Sequence, residues 1–205
     1  MSNDALPSFE TIRLALQGGV ATLTLNRPQR LNAAPPQMFD EIRAALQQLP
    51  GLGARALLIT GEGRAFCSGA DLAGRDGKPA TSRGAGAYTA LTEVYSPTMM
   101  AISRLNIPVV TAVNGAAAGI GASLALAADF VVAARSAYFL EAFVNIGLVP
   151  DGGATWMLTR LVGKARATEM MMLGERIGAE KAEAWGLIHK AVDDGELMPQ
   201  ATALA

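Results

Sequence analysis

Residues 113–122 read VNGAAAGIGA, and residues 65–72 read AFCSGADL. In both stretches, glycine stands where an apolar segment passes into a predicted turn or helix. Glycine permits backbone conformations that turn N–H groups outward, and the first N–H groups of a helix have no partner inside it. Those groups also lie at the positive end of the helix dipole. The two stretches can therefore present N–H groups to an anion, although glycine turns that only pack against a strand have the same composition.

The segments around these two stretches alternate between strands and helices. Residues 11–16 and 20–25 alternate apolar and small polar side chains around Gly18 and Gly19, which predicts a β-hairpin with a two-residue turn. Short apolar runs predict further strands, and apolar residues three or four apart predict helices. The predicted strands are residues 55–60, 107–113, 129–134 and 187–192, and the predicted helices are residues 37–49, 87–105, 119–128, 155–161, 164–173 and 179–185. This alternation predicts an α/β fold with mostly parallel, buried strands.

The composition favours a cytoplasmic protein of ordinary charge. Lysine and arginine together number 17 against 18 aspartates and glutamates, so no basic surplus attracts nucleic acid or an anionic membrane. Cys67 has no second cysteine to pair with, and residues 1–10 are too polar for a signal peptide. The apolar run at residues 115–128 is shorter than the roughly 20 residues that span a bilayer. We therefore expect neither a nucleic-acid partner nor a membrane.

Generic catalytic motifs are missing from the sequence. Residues 119–121 read G-x-G, but Leu124 occupies the place of the third glycine of a dinucleotide fingerprint, and no phosphate-binding G-K-[ST] follows any strand. The single histidine, His189, lies in an apolar run that favours a packing role over a catalytic triad. Cys67 is interpreted as a small buried residue. One histidine and one cysteine exclude an ordinary zinc site, so we expect no metal.

Six segments together resemble the crotonase family, also called the enoyl-CoA hydratase/isomerase family. They occur in the family's order and spacing, and they extend over nearly the whole chain. The segments are residues 26–33 (NRPQRLNA), 65–72 (AFCSGADL), 113–122 (VNGAAAGIGA), 147–153 (GLVPDGG), 160–163 (RLVG) and 184–188 (AWGLI). The motifs are most similar to those of the enoyl-CoA isomerases of phenylacetate degradation.

This resemblance implies a crotonase fold, in which ββα units form a spiral with two nearly perpendicular sheets surrounded by helices. It implies one domain over residues 1–205, and family members usually continue with several more helices. It also implies assembly as a homotrimer or a dimer of trimers. The implied substrate is an acyl-coenzyme A thioester, as in fatty acid metabolism, with coenzyme A as part of the substrate and no covalently bound cofactor.

The resemblance also implies the site residues. It assigns an oxyanion hole to the backbone N–H groups of Ala70 and Ile120, where two donors stabilise an enolate more than the ground state. The side chain of Ile120 is larger than is usual at that position and is expected to narrow the pocket. Arg30 is expected to pair with a phosphate. The residues assigned to coenzyme A or substrate contacts are Arg30, Leu31, Ala33, Asp71, Leu72, Gly119, Ser123 and Phe143.

Two departures from the family pattern bear on the reaction. Typical hydratases have glutamates at the positions of Ser123 and Phe143, and neither residue here can hold and deprotonate water. Hydration is therefore disfavoured. Glu141 is a possible substitute, but if the strand continues it lies two residues from Phe143 on the same face and farther along.

Asp151 is the candidate catalytic base, because isomerase-like members have an aspartate at the matching position. An aspartate with an ordinary pKa near 3.9 is a weak base, so this role requires apolar surroundings, which Phe143 and Trp156 are expected to supply. Asp151 could also cap the helix that begins near Gly152. Asp129 is interpreted as structural. Phe143, Trp156 and residues 74–86 suggest a bulky or cyclic acyl group.

The favoured function is thus an enoyl-CoA double-bond isomerase. Two alternatives stay open from the sequence. The first is another crotonase reaction, such as hydration, hydrolysis or dehalogenation. The second is an acyl-CoA-binding protein without catalysis, which the side chains at positions 123 and 143 leave open.

Overall fold

The computed structural model describes residues 8–72, 86 and 88–205, in which strands form two sheets with helices packed against them. The strands are β1 Ile12–Gln17, β2 Val20–Leu25, β3 Ala56–Gly61, β4 Ala65–Cys67, β5 Val109–Val113, β6 Ala116–Ala118, β7 Phe130–Ala134, β8 Tyr138–Leu140, β9 Ile177–Gly178 and β10 Lys190–Val192. The larger sheet has the order β1-β2-β3-β5-β7-β10, and the smaller has the order β4-β6-β8-β9. This architecture confirms the predicted α/β class.

The larger sheet begins with the predicted hairpin. Strands β1 and β2 pair antiparallel, with Gln17 opposite Val20, and both turn glycines have positive φ, 61° at Gly18 and 89° at Gly19. A two-residue turn with two positive φ angles matches the right-handed twist of the strands it joins. From β2 onward every neighbouring pair in this sheet is parallel. All five residues of β5 are buried, as expected for a parallel strand covered on both faces.

The smaller sheet was not predicted strand by strand. Its strands have only two or three residues each, which is too short to show an alternating pattern. Residues 116–118, interpreted as part of a glycine turn, form β6, and residues 65–67, within a predicted turn-rich region, form β4. Strands β4, β6 and β8 are parallel, and β9 joins β8 antiparallel.

The helices match the sequence predictions with three differences. The helix predicted over residues 119–128 is shorter, and the last helix, Leu197–Leu204, was not predicted. The segment predicted as one helix over residues 87–105 includes a π-helical turn, Ala90–Tyr95, and residue 87 lies outside the described residues. The helices are α1 Pro36–Gln48, α2 Ser96–Ser103, α3 Ile120–Leu126, α4 Ala154–Leu161, α5 Gly163–Leu173, α6 Ala179–Trp185 and α7 Leu197–Leu204, with 3-10 turns at Pro28–Arg30, Val144–Ile146 and Asp194–Glu196.

The π-helical turn lies directly before a proline. Pro97 has no N–H group and cannot donate within the helix, so the regular hydrogen-bond ladder is interrupted there. The N–H of Ser96 donates to the carbonyl of Leu91, five residues earlier, as in a π-helix. Within the described ranges, no helix is both long enough and apolar enough to cross a membrane.

A buried asparagine connects the hairpin exit to the end of β3. The side chain of Asn32 is fully buried, and its φ of 52° is in the left-handed region that asparagine tolerates. Its Nδ2 donates to the carbonyls of Glu62, at 3.0 Å, and Ala65, at 2.8 Å, while its Oδ1 accepts from the N–H of Arg27 at 2.8 Å. One side chain thus satisfies backbone groups of two separate segments.

We expect Asn32→Ala to lower the free energy of unfolding by about 3 kcal/mol, because it leaves buried backbone groups without partners and puts alanine at a positive φ. Urea denaturation followed by circular dichroism measures this loss. Asn106→Ala, at an exposed position, is the control and should change stability by less than about 0.5 kcal/mol. Equal stability of the two variants would contradict the role assigned to Asn32.

Candidate active site

The two glycine stretches meet at one edge of the smaller sheet. Strands β4 and β6 are parallel neighbours, with Cys67 opposite Ala117. Because they run in the same direction, both end at the same edge of the sheet. The turns that follow, which contain Gly69 and Gly119, therefore lie side by side.

Two glycines allow these turns to approach closely. A Cβ atom at Gly121 would overlap the carbonyl oxygen of Cys67 and lie 2.8 Å from its Sγ. A Cβ atom at Gly69, where φ is 107°, would lie 3.2 Å from the carbonyl oxygen of Ala118. Backbone thus contacts backbone across the turns, and no side chain separates them.

The N–H groups of Ala70 and Ile120 belong to these two turns. The N–H groups of Ser68 and Asp71 donate to the carbonyls of Leu31 and Ala34, but that of Ala70 donates to no acceptor among the described residues. Ile120 is the first residue of α3, so its N–H has no partner within the helix. Both predicted donors are thus at the same sheet edge.

The residues predicted to contact coenzyme A surround the Ala70 turn. The carboxylate of Asp71 forms an ion pair with Arg27, with 2.9 Å between nitrogen and oxygen, and a guanidinium nitrogen of Arg30 lies 3.9 Å from the other carboxylate oxygen. The Arg30 side chain is 49% exposed. Leu31 lies beside this turn through its hydrogen bond to Ser68, and Ala33 precedes the bridge between Ala34 and Ala70. Leu72 follows with 43% of its surface exposed.

Asp151 lies on a turn that packs against the start of α3. Ser123 Oγ donates to the backbone carbonyl of Asp151 at 3.0 Å. A Cβ atom at Gly152 would lie 2.8 Å from the Cβ of Ser123 and 2.5 Å from the Cδ1 of Ile120. The side chain of Ile120 is buried against this turn.

One carboxyl oxygen of Asp151, Oδ1, is buried without a hydrogen-bond partner among the described residues. Burial raises the pKa of Asp151 to about 6. The expectation that Asp151 caps the following helix is wrong. Gly153 occupies the N-cap of α4, and only the backbone carbonyl of Asp151 accepts a hydrogen bond there, from Ala154.

Glu141 is the residue that the sequence reasoning undervalued. Its side chain is fully buried, and neither carboxyl oxygen has a hydrogen-bond partner in the described part of the chain. Burial, and then the negative charge of Asp151, raise the pKa of Glu141 to about 8. The assumption that the strand continues through Phe143 is wrong, because β8 ends at Leu140. A single glutamate within the apolar run at residues 137–144 was the sequence signal that could have indicated a buried carboxyl group.

The surroundings predicted for Asp151 are only partly present. Phe143 is buried, and its ring carbon Cζ lies 3.7 Å from where a Cβ atom of Gly119 would stand. Trp156 is 61% exposed, and the guanidinium of Arg160 stacks on it at 4.0 Å. Ile120 and Ser123 of α3 lie against Gly152 of the Asp151 turn. Most of the segment predicted to accommodate a bulky acyl group, residues 74–86, lies outside the described residues.

Cys67, Asp129 and His189 have the structural roles assigned to them. Burial raises the pKa of the Cys67 thiol to about 11. Asp129 Oδ2 accepts the N–H of Val109 at 2.8 Å. His189 packs edge-on against Phe130 and lines a cavity of about 230 Å³ to which no predicted site residue contributes. In the described part of the chain, no group of three or more potential ligands could hold a metal ion.

The fold is that of the crotonase-type enzymes. The sequence profile described as enoyl-CoA hydratase/isomerase matches residues 15–205, and the chain belongs to this family. The crystal structure of an enoyl-CoA hydratase from Bacillus anthracis superposes with a TM-score of 0.88 at 31% identity, covering 95% of this chain and 75% of that one.

The relatives include proteins named as hydratases and proteins named as isomerases. A protein of Rhodobacter capsulatus named "probable enoyl-CoA hydratase" is 51% identical over 187 residues, which cover 91% of this chain and 70% of the relative. The 1,2-epoxyphenylacetyl-CoA isomerase of Escherichia coli is 44% identical over 198 residues, which cover 96% of this chain and 75% of the relative. These comparisons support hydratase/isomerase activity of the enoyl-CoA family.

We expect Gly121→Ala to lower the free energy of unfolding by about 2 kcal/mol, because the new methyl group overlaps the carbonyl of Cys67. Activity should fall further than stability explains, since the two turns must separate. Thermal unfolding and turnover of an enoyl-CoA thioester are measured together. Gly195→Ala, where no atom lies within 4 Å of the new Cβ, is the control. Wild-type activity in folded Gly121→Ala would contradict the need for this close approach.

Proposed function

We propose that the protein isomerises enoyl-CoA thioesters, with Asp151 as the base and with the N–H groups of Ala70 and Ile120 holding the enolate oxygen. The observation that carries the proposal is the buried carboxyl oxygen Oδ1 of Asp151, which has no partner among the described residues and belongs to a turn packed against Ile120. A base next to an anion-stabilising turn is the arrangement that proton transfer beside a carbonyl requires.

In the proposed reaction, the Asp151 carboxylate takes a proton from a carbon made acidic by the thioester and the double bond. The electron pair of the broken C–H bond moves toward the thioester oxygen, which becomes an enolate oxygen. Each N–H donor aimed at that oxygen is worth roughly 3 kcal/mol in the transition state. Asp151 then returns its proton to a different carbon, and the double bond has moved with no change in composition.

The raised pKa of Asp151 suits this role. Its carboxyl must be ionised to take the proton and protonated to return it, and a pKa of about 6 allows both states near neutral pH. Ser123 supports the assignment, because its hydroxyl donates to the backbone of Asp151 and so fixes the turn that holds the base.

Hydration is the second candidate function. Two interacting carboxyl groups, Glu141 and Asp151, favour hydration, because hydratases use a pair of carboxyl groups to hold and deprotonate water. Against it, Glu141 has no exposed surface through which to meet a substrate water. Product analysis separates the two reactions, because hydration adds a water molecule to the thioester and isomerisation leaves its mass unchanged.

We expect Asp151→Asn to lower isomerisation at least 100-fold, because an amide cannot take up the proton. The measurement is double-bond migration together with exchange of substrate protons in deuterated water, over a panel of enoyl-CoA thioesters. Asp40→Asn, on the exposed face of α1, is the matched control. Unchanged exchange in Asp151→Asn would exclude Asp151 as the base, and binding without turnover in the wild type would favour a non-catalytic acyl-CoA-binding protein.

The same assignment predicts the acid side of the pH profile. Because burial raises the pKa of Asp151 to about 6, its carboxyl is protonated and inactive below that pH. We expect kcat/KM, which reports the free enzyme, to rise about tenfold per pH unit well below pH 6 and to level off just above it. Steady-state kinetics in buffers of constant ionic strength test this, and a limb near pH 4 would contradict the buried state of the base.

For Arg30 we propose a contact with the phosphates of coenzyme A, because its guanidinium is half exposed beside the Ala70 turn. We expect Arg30→Ala to raise KM for the coenzyme A thioester about tenfold, and to leave KM unchanged for an N-acetylcysteamine thioester, which has no phosphate. Arg13→Ala, an arginine of similar exposure on β1, is the control. An equal change in KM for both thioesters would contradict the phosphate contact.

A further inference from the structure

We propose that Glu141 is a positioning residue for the reaction, a neutral carboxylic acid that keeps the site at one negative charge so that Asp151 alone is ionised. The proposal rests on the proposed role of Asp151 as the base. It adds that ionisation of Glu141 stops the reaction at alkaline pH.

The backbone holds Glu141 close to the oxyanion turn. The carbonyl of Leu140, the preceding residue, accepts the N–H of Gly119 at 2.8 Å. On the other side of Glu141, Phe143 packs over the same glycine. Glu141 is therefore anchored on both sides to the turn that carries the N–H of Ile120.

The two carboxyl groups share one buried environment. Glu141 is fully buried with both oxygens partnerless, and Oδ1 of Asp151 is partnerless too, among the described residues. Two ionised carboxylates cannot both be stable without partners or water, so the second one keeps its proton. Between about pH 6 and pH 8 the pair holds one proton, and it resides on Glu141 because that group has the higher pKa.

The charged groups of neighbouring elements are engaged elsewhere. Strands β6 and β9, which flank β8, contain no ionisable side chain. The charged groups on and before α6, which packs against β8, have other partners: Arg176 stacks on Tyr138, Glu180 pairs with Arg135, Lys181 pairs with Glu169, and Glu183 accepts the N–H of Ala191. Asp151 is the one charged group that acts on the pKa of Glu141 in the described part of the chain.

The charge count explains why a neutral Glu141 matters for the reaction. Forming the enolate moves negative charge onto the thioester oxygen while Asp151 becomes neutral. The site then carries one negative charge before and after the proton transfer. A second, ionised carboxylate beside the oxyanion turn would oppose the enolate by like-charge repulsion in a medium of low dielectric.

The test is the pH dependence of kcat/KM between pH 5 and pH 10. Wild type should give a bell-shaped profile, with a limb near pH 6 from Asp151 and a falling limb near pH 8 from Glu141. Glu141→Gln, which has the same shape and cannot ionise, should keep the acid limb and lose the alkaline limb. Glu175→Gln, at an exposed position, should keep both limbs. A falling limb near pH 8 that persists in Glu141→Gln would overturn the proposal.

A second measurement separates this proposal from the proposed function and needs neither turnover nor a folded Glu141 variant. Carbon-13 NMR of protein labelled at the glutamate carboxyls should show one glutamate titrating near pH 8, far above the exposed ones. Its midpoint should fall in Asp151→Asn, which removes the repelling charge. If every glutamate titrates below pH 6, the inference about Glu141 is wrong. If the high midpoint is present but Asp151→Asn keeps full isomerase activity, the proposed base is wrong and the pairing of the two carboxyls stands.

Discussion

The close approach of two backbone turns is the constraint on which the rest of the site depends. Gly121 lies against the carbonyl of Cys67 with no room for a side chain, and parallel pairing of β4 with β6 brings both turns to one edge. Once the turns are in contact, the backbone alone sets the positions of the N–H groups of Ala70 and Ile120. This explains why a residue as large as Ile120 is accepted there, since its N–H is independent of its side chain.

In the proposed reaction, the carboxyl groups beneath these turns limit the negative charge of the site. The fold leaves both carboxyl oxygens of Glu141 and the Oδ1 of Asp151 buried without hydrogen-bond donors among the described residues. Burial raises the pKa of both groups, and the negative charge of Asp151 raises that of Glu141 further, so the two groups ionise at different pH values. The same burial that weakens the acids makes Asp151 a better base.

The sequence predicted the parts of the fold in which a pattern extends over several residues. The hairpin, α1 and the strands of the larger sheet are long enough to show an alternating or helical period. The smaller sheet could not be found in this way, since its strands have two or three residues and are defined by their partners. Asp151 was found from its motif. The importance of Glu141 was not, because its burial depends on where β8 ends and on which turn it meets.

Ser123 connects the scaffold to the choice of reaction. At a position where hydratases have a carboxylate, the hydroxyl of Ser123 donates to the backbone of Asp151 and so holds the turn of the proposed base. Position 123 on α3 thus contacts the separate segment that carries the Asp151 carboxyl group. Because the second carboxyl, Glu141, is buried beneath the turns, it can set the charge of the site without contacting the thioester. Because the proposed oxyanion donors are backbone atoms, a carboxyl group at another position leaves these N–H groups in place.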